Sequence, residues 1–224
     1  MSDRVTILTY SSNRESPVFA ARIRAQWQAV CGDLPVVSVT QQPMPDLGLN
    51  ICVGDVGASN YNLFRQVQIG CEAATTDFVL SVEADCLYPP DYFTFVPDCL
   101  DRCYRNTNVY VMPQHRAFYW RKPKGDTHAQ IVGRLFYLDT LRRAFADGPA
   151  WSMTERNFPK ERLRRDELQP ADAMVPYATD APVVQLKTSD GMRHYTTSDR
   201  IDIPSLPYWG DGRDVRRRYF DRSL

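Results

Sequence analysis

Short apolar runs and amphipathic segments alternate through the first part of the chain. Residues 4–9, 35–40 and 78–82 are brief apolar runs rich in β-branched residues, which indicate buried strands. Residues 17–30 and 61–74 carry apolar side chains at helical spacing between them. This strand–helix–strand succession predicts parallel strands with helices packed on the sheet.

The alternation of strand-like and helix-like segments is less regular after residue 97. Residues 109–112 and 117–120 read as strands of a hairpin, and residues 130–138 form a longer apolar run that predicts another strand. Asp139 would then cap a short helix that ends near residue 147. The prediction is completed by a helix around 159–168, a last strand at 181–187 and a tail from residue 204 that is mostly loop.

The composition indicates one globular domain. The chain has 224 residues, of which 43% are hydrophobic, and Lys+Arg and Asp+Glu both number 27, so net charge does not favour a polyanionic partner. Two arginine-rich runs, 156–165 and 213–222, are expected to be solvated helix faces or tails, with a polyanion-binding patch as the alternative. Six cysteines without a zinc-ligand spacing, no signal peptide and no apolar run of spanning length favour a cytoplasmic location without a membrane span.

Two carboxylates follow the most apolar of the predicted strands. Glu83 and Asp85 come directly after residues 78–82, and Pro89-Pro90 then begins a new element. In an open α/β sheet, ligands bind at the carboxyl ends of the strands. Residues two apart in a strand point the same way, so both carboxylates could face one hard divalent cation. A solvated loop is the alternative for such a triplet taken alone.

Three segments together resemble a known enzyme family. They are the polar turn that ends the first strand (residues 9–14), the helix that carries Asn62 and Arg65, and the Asp-x-Asp-like motif Val82-Glu83-Ala84-Asp85. In this order and spacing, residues 5–93 resemble the nucleotide-sugar half of a GT-A glycosyltransferase, closest to the family 2-like enzymes.

The resemblance implies a fold and a donor. The fold would be α/β, a Rossmann-like GT-A fold with a central, mostly parallel sheet flanked by helices. Residues 1–97 would bind the nucleotide sugar, with a UDP-sugar first among the donors, and residues 98–224 would form the acceptor-binding half and the C-terminal tail. The donor-binding residues implied in this way are Thr9, Tyr10, Asn13, Arg14, Asn62, Arg65 and Ala84.

The resemblance also implies a metal ion. Mn²⁺ or Mg²⁺ would be bound through Asp85, with Glu83 as a further ligand or as a contact to the donor ribose or to water. His194 follows the last predicted strand, where members of this fold often bring back a histidine ligand. Imidazole accepts Mn²⁺ more readily than Mg²⁺, so the use of His194 would favour manganese.

A catalytic base is less sharply indicated. An inverting enzyme needs a carboxylate to deprotonate the acceptor hydroxyl, whereas a retaining enzyme does not. Asp166 and Glu167 are the candidates, and Glu155 and Asp172 are the alternatives. Residues 40–42 read Thr-Gln-Gln where the family usually has an acid that contacts the nucleobase, which leaves the base of the donor open.

Other functions stay open at this point. The resemblance implies a glycan as the acceptor, and the arginine runs leave a hydroxymethylated pyrimidine in phage DNA as the alternative. A nucleotidyltransferase acting on sugar phosphates would share the parallel sheet and the metal-binding carboxylates, although residues 11–14 lack the glycines of its phosphate loop. A nucleotide-sugar-binding module without turnover is the non-enzymatic alternative.

Overall fold

A computed structural model describes residues 4–123, 125, 127–153, 173–188 and 198–221. The strands are β1 Val5–Ser11, β2 Val36–Thr40, β3 Leu49–Cys52, β4 Phe78–Glu83, β5 Cys86–Leu87, β6 Cys103–Asn106, β7 Val109–Pro113, β8 Trp120–Arg121, β9 Gln130–Gly133, β10 Met174–Tyr177, β11 Val183–Lys187, β12 Ser205–Leu206 and β13 Gly210–Asp211. The helices are α1 Pro17–Gln28, α2 Asn60–Ala73, α3 Pro90–Thr94, α4 Arg134–Phe145 and α5 Gly212–Phe220.

The larger sheet has seven strands in the order β10-β6-β9-β4-β1-β2-β3. Strands β3, β2, β1 and β4 are parallel to one another, and β9 runs antiparallel to its neighbours β4 and β6. The predicted α/β class with a mostly parallel sheet is therefore confirmed. The parallel strands also bring the carboxyl ends of β1, β2 and β4 to one edge.

A smaller sheet has four strands in the order β5-β11-β7-β8. Strand β11 is parallel to β7 and antiparallel to β5. The chain leaves the larger sheet at Glu83 and joins the smaller one at Cys86, after a turn formed by Ala84 and Asp85. The predicted carboxylates thus lie at the junction of the two sheets.

Helices cover both faces of the larger sheet. Helices α2 and α4 pack on the face that carries Leu8 and Val39, and α1 packs on the face that carries Ile7 and Leu80, with α5 packed against α1. The hydrophobic core on this second face also contains residues of the smaller sheet, such as Val184. Because alternate residues of one strand enter different clusters, the central strands are apolar throughout.

The prediction of a strand over residues 130–138 was wrong in its second half. Strand β9 ends at Gly133, and α4 begins at Arg134. A Cβ atom at Gly133 would lie 1.6 Å from the carbonyl oxygen of Leu100, so the chain needs glycine at this turn. Beyond it, the buried residues Tyr137, Leu138, Leu141 and Phe145 follow helical and not strand periodicity.

The predicted loop character of the tail was also incomplete. Helix α5 begins after Asp211, whose side chain accepts a hydrogen bond from the backbone N–H of Arg213, and it buries Val215 and Tyr219 one turn apart. Most of the arginine-rich run 213–222, expected to be a solvated helix face or tail, lies on this helix. The helix predicted around 159–168 lies outside the described residues. Within the described ranges, no helix combines the length and the apolar character needed to cross a membrane.

Candidate functional site

Tyr10 and Glu83 lie side by side where β1 and β4 end. The parallel register places these two residues opposite each other, and the Tyr10 hydroxyl donates a hydrogen bond of 3.0 Å to Oε1 of Glu83. Burial, and then the charge of Glu83, raises the pKa of Tyr10 well above its ordinary value. The phenol therefore keeps its proton and orients one carboxylate oxygen of Glu83.

His128 faces Glu83 from the other side. Strands β4 and β9 are antiparallel with Leu80 opposite Ile131, and extending this register by three pairs brings Glu83 opposite His128. The Tyr88 hydroxyl accepts a hydrogen bond of 2.9 Å from the backbone N–H of Glu83 and donates one of 2.7 Å to the carbonyl oxygen of His128. One buried phenol thus fixes the backbone at both residues.

Cys86 completes a set of three metal-ligating side chains. One ligand atom from each of Glu83, Cys86 and His128 lies within 4.8 Å of the other two. The Cys86 thiol also donates to Oδ1 of Asp85 at 3.3 Å. Burial, followed by the charges of Asp85 and Glu83, raises the pKa of the Cys86 thiol well above its ordinary value. Without a cation, Cys86 therefore stays protonated.

Asp85 is held by the smaller sheet. Its Oδ2 accepts a hydrogen bond of 3.2 Å from Nε2 of Gln185 and lies 3.8 Å from Nζ of Lys187, with the side chains of Asp85 and Lys187 both 16% exposed. Nζ of the buried Lys122 lies 3.4 Å from Oε1 of the same Gln185. At about 4 Å, two opposite unit charges attract by about 4 kcal/mol in an effective dielectric near 20. The pair with Lys187 therefore orients Asp85 strongly.

The two predicted metal ligands thus belong to different supporting structures. Glu83 is the last residue of β4 and is bound by Tyr10 of β1, whereas Asp85 lies in the turn and is bound from β11. Both carboxylates border the Cys86 thiol. Their joint binding of one cation stays a prediction, as does the donor contact at Ala84.

The predicted donor loop after β1 is fixed by an asparagine. Oδ1 of Asn13 accepts hydrogen bonds from the backbone N–H groups of Gln41 at 2.8 Å and Gln42 at 3.0 Å, which ties this loop to the one after β2. Thr9 is buried inside β1. Arg14 is exposed, and its side chain makes no ion pair with a residue that the structure describes. Arg14 is therefore the most accessible of these predicted donor contacts.

Asn62 organises the loop before α2. Its amide nitrogen donates to the carbonyl oxygens of Val56 at 2.6 Å and Gly57 at 3.0 Å, and its oxygen accepts from the backbone N–H of Ser152 at 2.8 Å. The side chain is 1% exposed. These contacts make Asn62 a positioning residue for the loop, and its role as a donor contact stays a prediction.

Arg65 is occupied at the far end of α4. Its guanidinium donates to the carbonyl oxygens of Ala150 and Pro149, both at 3.1 Å, and lies 4.7 Å from the ring centroid of Phe145. These contacts close the end of α4 against α2. A contact between Arg65 and the donor diphosphate would require them to break, and it stays a prediction.

Several predicted residues lie outside the described part of the chain. These are the histidine His194, the candidate bases Asp166 and Glu167, and their alternatives Glu155 and Asp172. Their predicted roles are unchanged.

His128 and Lys187 were not among the residues predicted for the site. Only the antiparallel pairing of β9 with β4 brings His128 to Glu83. Lys187 ends a strand that was predicted, but its position depends on the pairing of β11 with β5 and β7. The sequence did contain one sign of the site, which is a charged residue at the end of a buried strand, as Lys187 is in β11.

No family model matches this chain, and no curated protein matches it in sequence. Among solved structures, TarS 1–349 of S. aureus aligns with 82% of this chain at 9% identity and a TM-score of 0.48. A glycosyltransferase involved in glycosylation of the major capsid of PBCV-1 aligns with 81% at 12% identity and a TM-score of 0.47. The mannosyltransferase PcManGT of Pyrobaculum calidifontis, in complex with GDP-Man and Mn²⁺, aligns with 84% at 16% identity and a TM-score of 0.45.

These proteins differ from the chain in length. The aligned chain spans 60% of TarS 1–349, 93% of the PBCV-1 enzyme and 58% of PcManGT. Similarities of this size do not establish a family, so the functional proposal rests on the residues of the site.

Proposed function

We propose that this chain is a glycosyltransferase that moves a sugar from a nucleotide-sugar donor, a UDP-sugar in the first instance, to an acceptor hydroxyl. The observation that carries the proposal is the placement of Glu83 and Asp85 around a two-residue turn at the carboxyl edge of β1, β2 and β4. Open α/β sheets bind their ligands at this edge. The Asp-x-Asp-like motif supplies the chemistry that a diphosphate leaving group requires.

The residues at the turn fit a divalent cation. Glu83 and Asp85 offer carboxylate oxygens, the ligands that Mn²⁺ and Mg²⁺ prefer, and Tyr10 already orients one oxygen of Glu83. Asp85 would exchange part of its interaction with Lys187 for the cation. When bound there, the cation stabilises the negative charge that develops on the leaving diphosphate. His194 would be a further ligand in this proposal.

Two lysine side chains lie near the same turn. Nζ of Lys187 lies 3.8 Å from Oδ2 of Asp85, and Nζ of Lys122 lies 3.4 Å from Oε1 of Gln185, whose amide nitrogen donates to Asp85. The charge of Lys187 beside Asp85 limits the repulsion between this carboxylate and an incoming diphosphate. In this proposal, Lys187 positions Asp85 and Tyr10 positions Glu83.

The acceptor half completes the proposal. Residues 98–224 would bind a glycan or a modified pyrimidine in DNA, and Asp166 or Glu167 would deprotonate the acceptor hydroxyl if the reaction inverts configuration. Among the arginines of α5, Arg213 and Arg217 are paired with Asp211 and Asp214. This pairing favours a glycan as the acceptor.

A donor panel tests the proposal without knowledge of the acceptor. Thermal unfolding is recorded with UDP-, GDP-, ADP- and TDP-sugars, each with and without Mn²⁺. Donor at about a hundred times its Kd stabilises the folded state by about 2.7 kcal/mol, which shifts the Tm of a chain this size by several degrees. We expect that shift with a UDP-sugar in the presence of Mn²⁺, together with slow hydrolysis of the donor.

The alternatives give different results in the same assay. A binding module would show the Tm shift without hydrolysis or transfer. A nucleotidyltransferase, given pyrophosphate, would convert the nucleotide sugar into the nucleoside triphosphate and the sugar 1-phosphate. If no nucleotide sugar shifts the Tm at any Mn²⁺ concentration, the proposed function is wrong.

A further inference from the structure

The residues around the end of β4 include ligands of a different chemical kind from paired carboxylates. Glu83, Cys86 and His128 offer one oxygen, one sulfur and one nitrogen atom, all within 4.8 Å of one another. Cys86 and His128 are 0% and 2% exposed, whereas Glu83 is partly exposed. The set is therefore open on the side of Glu83 and closed on the side of the soft ligands.

We propose that Glu83, Cys86 and His128 bind one divalent cation of borderline softness, of which Zn²⁺ and Co²⁺ are the examples to test. Thiolate and imidazole select such ions over Mg²⁺, for which carboxylate and water suffice. Three protein ligands with a fourth position left to water or substrate is the arrangement of catalytic zinc sites. The site shares Glu83 with the proposed donor site but does not depend on sugar transfer.

The spacing suits a single ion after a small adjustment. Zinc bonds are about 2.0 Å to nitrogen or oxygen and about 2.3 Å to sulfur, so two ligand atoms of a tetrahedral site lie about 3.3–3.5 Å apart. A set within 4.8 Å of one another closes on an ion by a small side-chain rotation. Glu83 is partly exposed and has room for that rotation.

Surrounding residues hold the ligands in place. The Tyr88 hydroxyl joins the backbone of Glu83 to that of His128, and the Tyr10 hydroxyl orients Oε1 of Glu83. Outer contacts of this kind fix ligand geometry, and their removal typically weakens metal binding by about 10- to 100-fold. The site is therefore supported by residues from β1 and from the segment after β5.

The charges also balance. Binding releases the proton of the Cys86 thiol to solvent, which leaves a thiolate and the Glu83 carboxylate opposite a cation of charge +2. The remaining carboxylate of Asp85 is already paired with Lys187 at 3.8 Å. The bound site would carry no uncompensated buried charge.

Cobalt binding to the full-length chain tests the site without any sugar donor. The chain, reduced and freed of metal, is titrated with Co²⁺ while the thiolate-to-cobalt absorption in the near ultraviolet is recorded, and Zn²⁺ affinity is measured by calorimetry. We expect the band in the unaltered chain and its loss in Cys86→Ser. His128→Gln should weaken Zn²⁺ binding by more than about 100-fold, because it removes a ligand and not an outer contact.

Matched controls separate this site from the other cysteines and histidines. Cys71 is equally buried, but it lies on helix α2, and His115 is exposed. Cys71→Ser and His115→Asn should keep both the band and the Zn²⁺ affinity. Absence of the band in the unaltered chain, or its persistence in Cys86→Ser, would overturn the proposal.

A second variant keeps the test decisive if Cys86→Ser does not fold. Tyr10→Phe keeps all three ligands and removes only the hydrogen bond to Glu83. We expect Zn²⁺ affinity to fall by about 10- to 100-fold with the thiolate band still present at saturation. Unchanged affinity in Tyr10→Phe and His128→Gln would overturn the proposal. Failure of the donor panel alone would leave this result unaffected.

Discussion

The two sheets hold their buried polar side chains in different chemical states. In the larger sheet, the buried amide of Gln66 donates to the carbonyl oxygens of Ser11 at 3.0 Å and Val39 at 2.8 Å. In the smaller sheet, the buried amide of Gln185 lies among charged groups: its nitrogen donates to Asp85, its oxygen lies 3.4 Å from Nζ of Lys122, and Asp85 is paired with Lys187. Gln66 thus joins carbonyl groups only, whereas Gln185 joins charged side chains.

This difference indicates where chemistry is expected. An amide needs only suitable geometry to satisfy buried carbonyl groups, whereas buried charges lose hydration that their mutual attraction repays only in part. Charged clusters of this kind concentrate at functional sites, where they set the electrostatics for a ligand. We infer that the larger sheet supplies the frame of the site and the smaller sheet supplies much of its charge.

Asp85→Asn should have the largest effect, because it removes charge from the turn and keeps the shape. Loss of the carboxylate removes an interaction of about 4 kcal/mol with a cation, which corresponds to about a thousandfold loss of turnover. It also leaves Lys187 without its counter-charge, which should destabilise the fold by about 1–3 kcal/mol. Donor hydrolysis and urea unfolding measure the two effects separately.

A variant of Lys187, the ion-pair partner of Asp85, measures the contribution of the pair to stability. Lys187→Met alone and together with Asp85→Asn completes a double-mutant cycle for the pair. We expect the double variant to be more stable than the sum of the single changes predicts, by about 0.5–3 kcal/mol. Turnover of Asp85→Asn equal to that of the unaltered chain would contradict the assignment of the site.

Tyr88→Phe should come next, since its hydroxyl connects the end of β4 to the residues before β9. The change leaves the backbone N–H of Glu83 and the carbonyl oxygen of His128 without their partner in a buried place. Each such loss costs about 1–3 kcal/mol, so we expect about 3 kcal/mol in all by chemical unfolding. Tyr208→Phe, at an exposed tyrosine, should stay within about 0.5 kcal/mol. Equal effects at the two positions would contradict the connecting role.

The parallel part of the larger sheet was predictable because its main strands are long enough to show an apolar pattern of their own and alternate with helices. Residues 4–9, 35–40 and 78–82 carry that pattern, and the observed strands β1, β2 and β4 match them within about two residues. The alternation of strands and helices implied a parallel sheet. Because Glu83 directly follows a predicted strand, its position in the sequence was enough to place it at the carboxyl edge of that sheet.

The smaller sheet was not predictable for the opposite reason. Strand β5 has two residues and pairs with β11, about a hundred residues later. A run this short has no periodicity, and nothing local specifies so distant a partner. The positions of Lys187 and Lys122, and of His128 opposite Glu83, all depend on such long-range pairing. The charged half of the site therefore became visible only in the folded chain.

Gln66→Met tests the uncharged side of the comparison. Methionine fills a similar volume but cannot donate to the carbonyl oxygens of Ser11 and Val39. We expect destabilisation of about 1–2 kcal/mol by urea unfolding, because one buried donor is lost. Exposed Gln42→Met in the nearby loop should change stability by less than about 0.5 kcal/mol. A loss in Gln66→Met larger than that in Asp85→Asn would reverse the order expected from charge.

Arg217→Ala should have the smallest effect, because its charge is exposed and already paired. Nη2 of Arg217 lies 2.9 Å from Oδ1 of Asp214, one turn away on α5, with side-chain exposures of 70% and 65%. Such helix pairs contribute about 0.2–0.5 kcal/mol, and we expect a loss of stability in that range.

The Arg217→Ala variant also tests whether the acceptor is DNA. Arg213 is paired with Asp211, and hydrogen bonding from Arg213 lowers the pKa of that carboxyl to about 2, so the pair stays charged at ordinary pH. Because Arg217 is already paired with Asp214, we expect Arg217→Ala to leave the salt dependence of any DNA binding unchanged. If Arg217 instead contacts a phosphate, the slope of log K against log salt concentration should fall by about 0.9 for duplex DNA. Filter binding over a range of salt concentrations distinguishes these outcomes, and such a fall would move the proposed acceptor from a glycan to DNA.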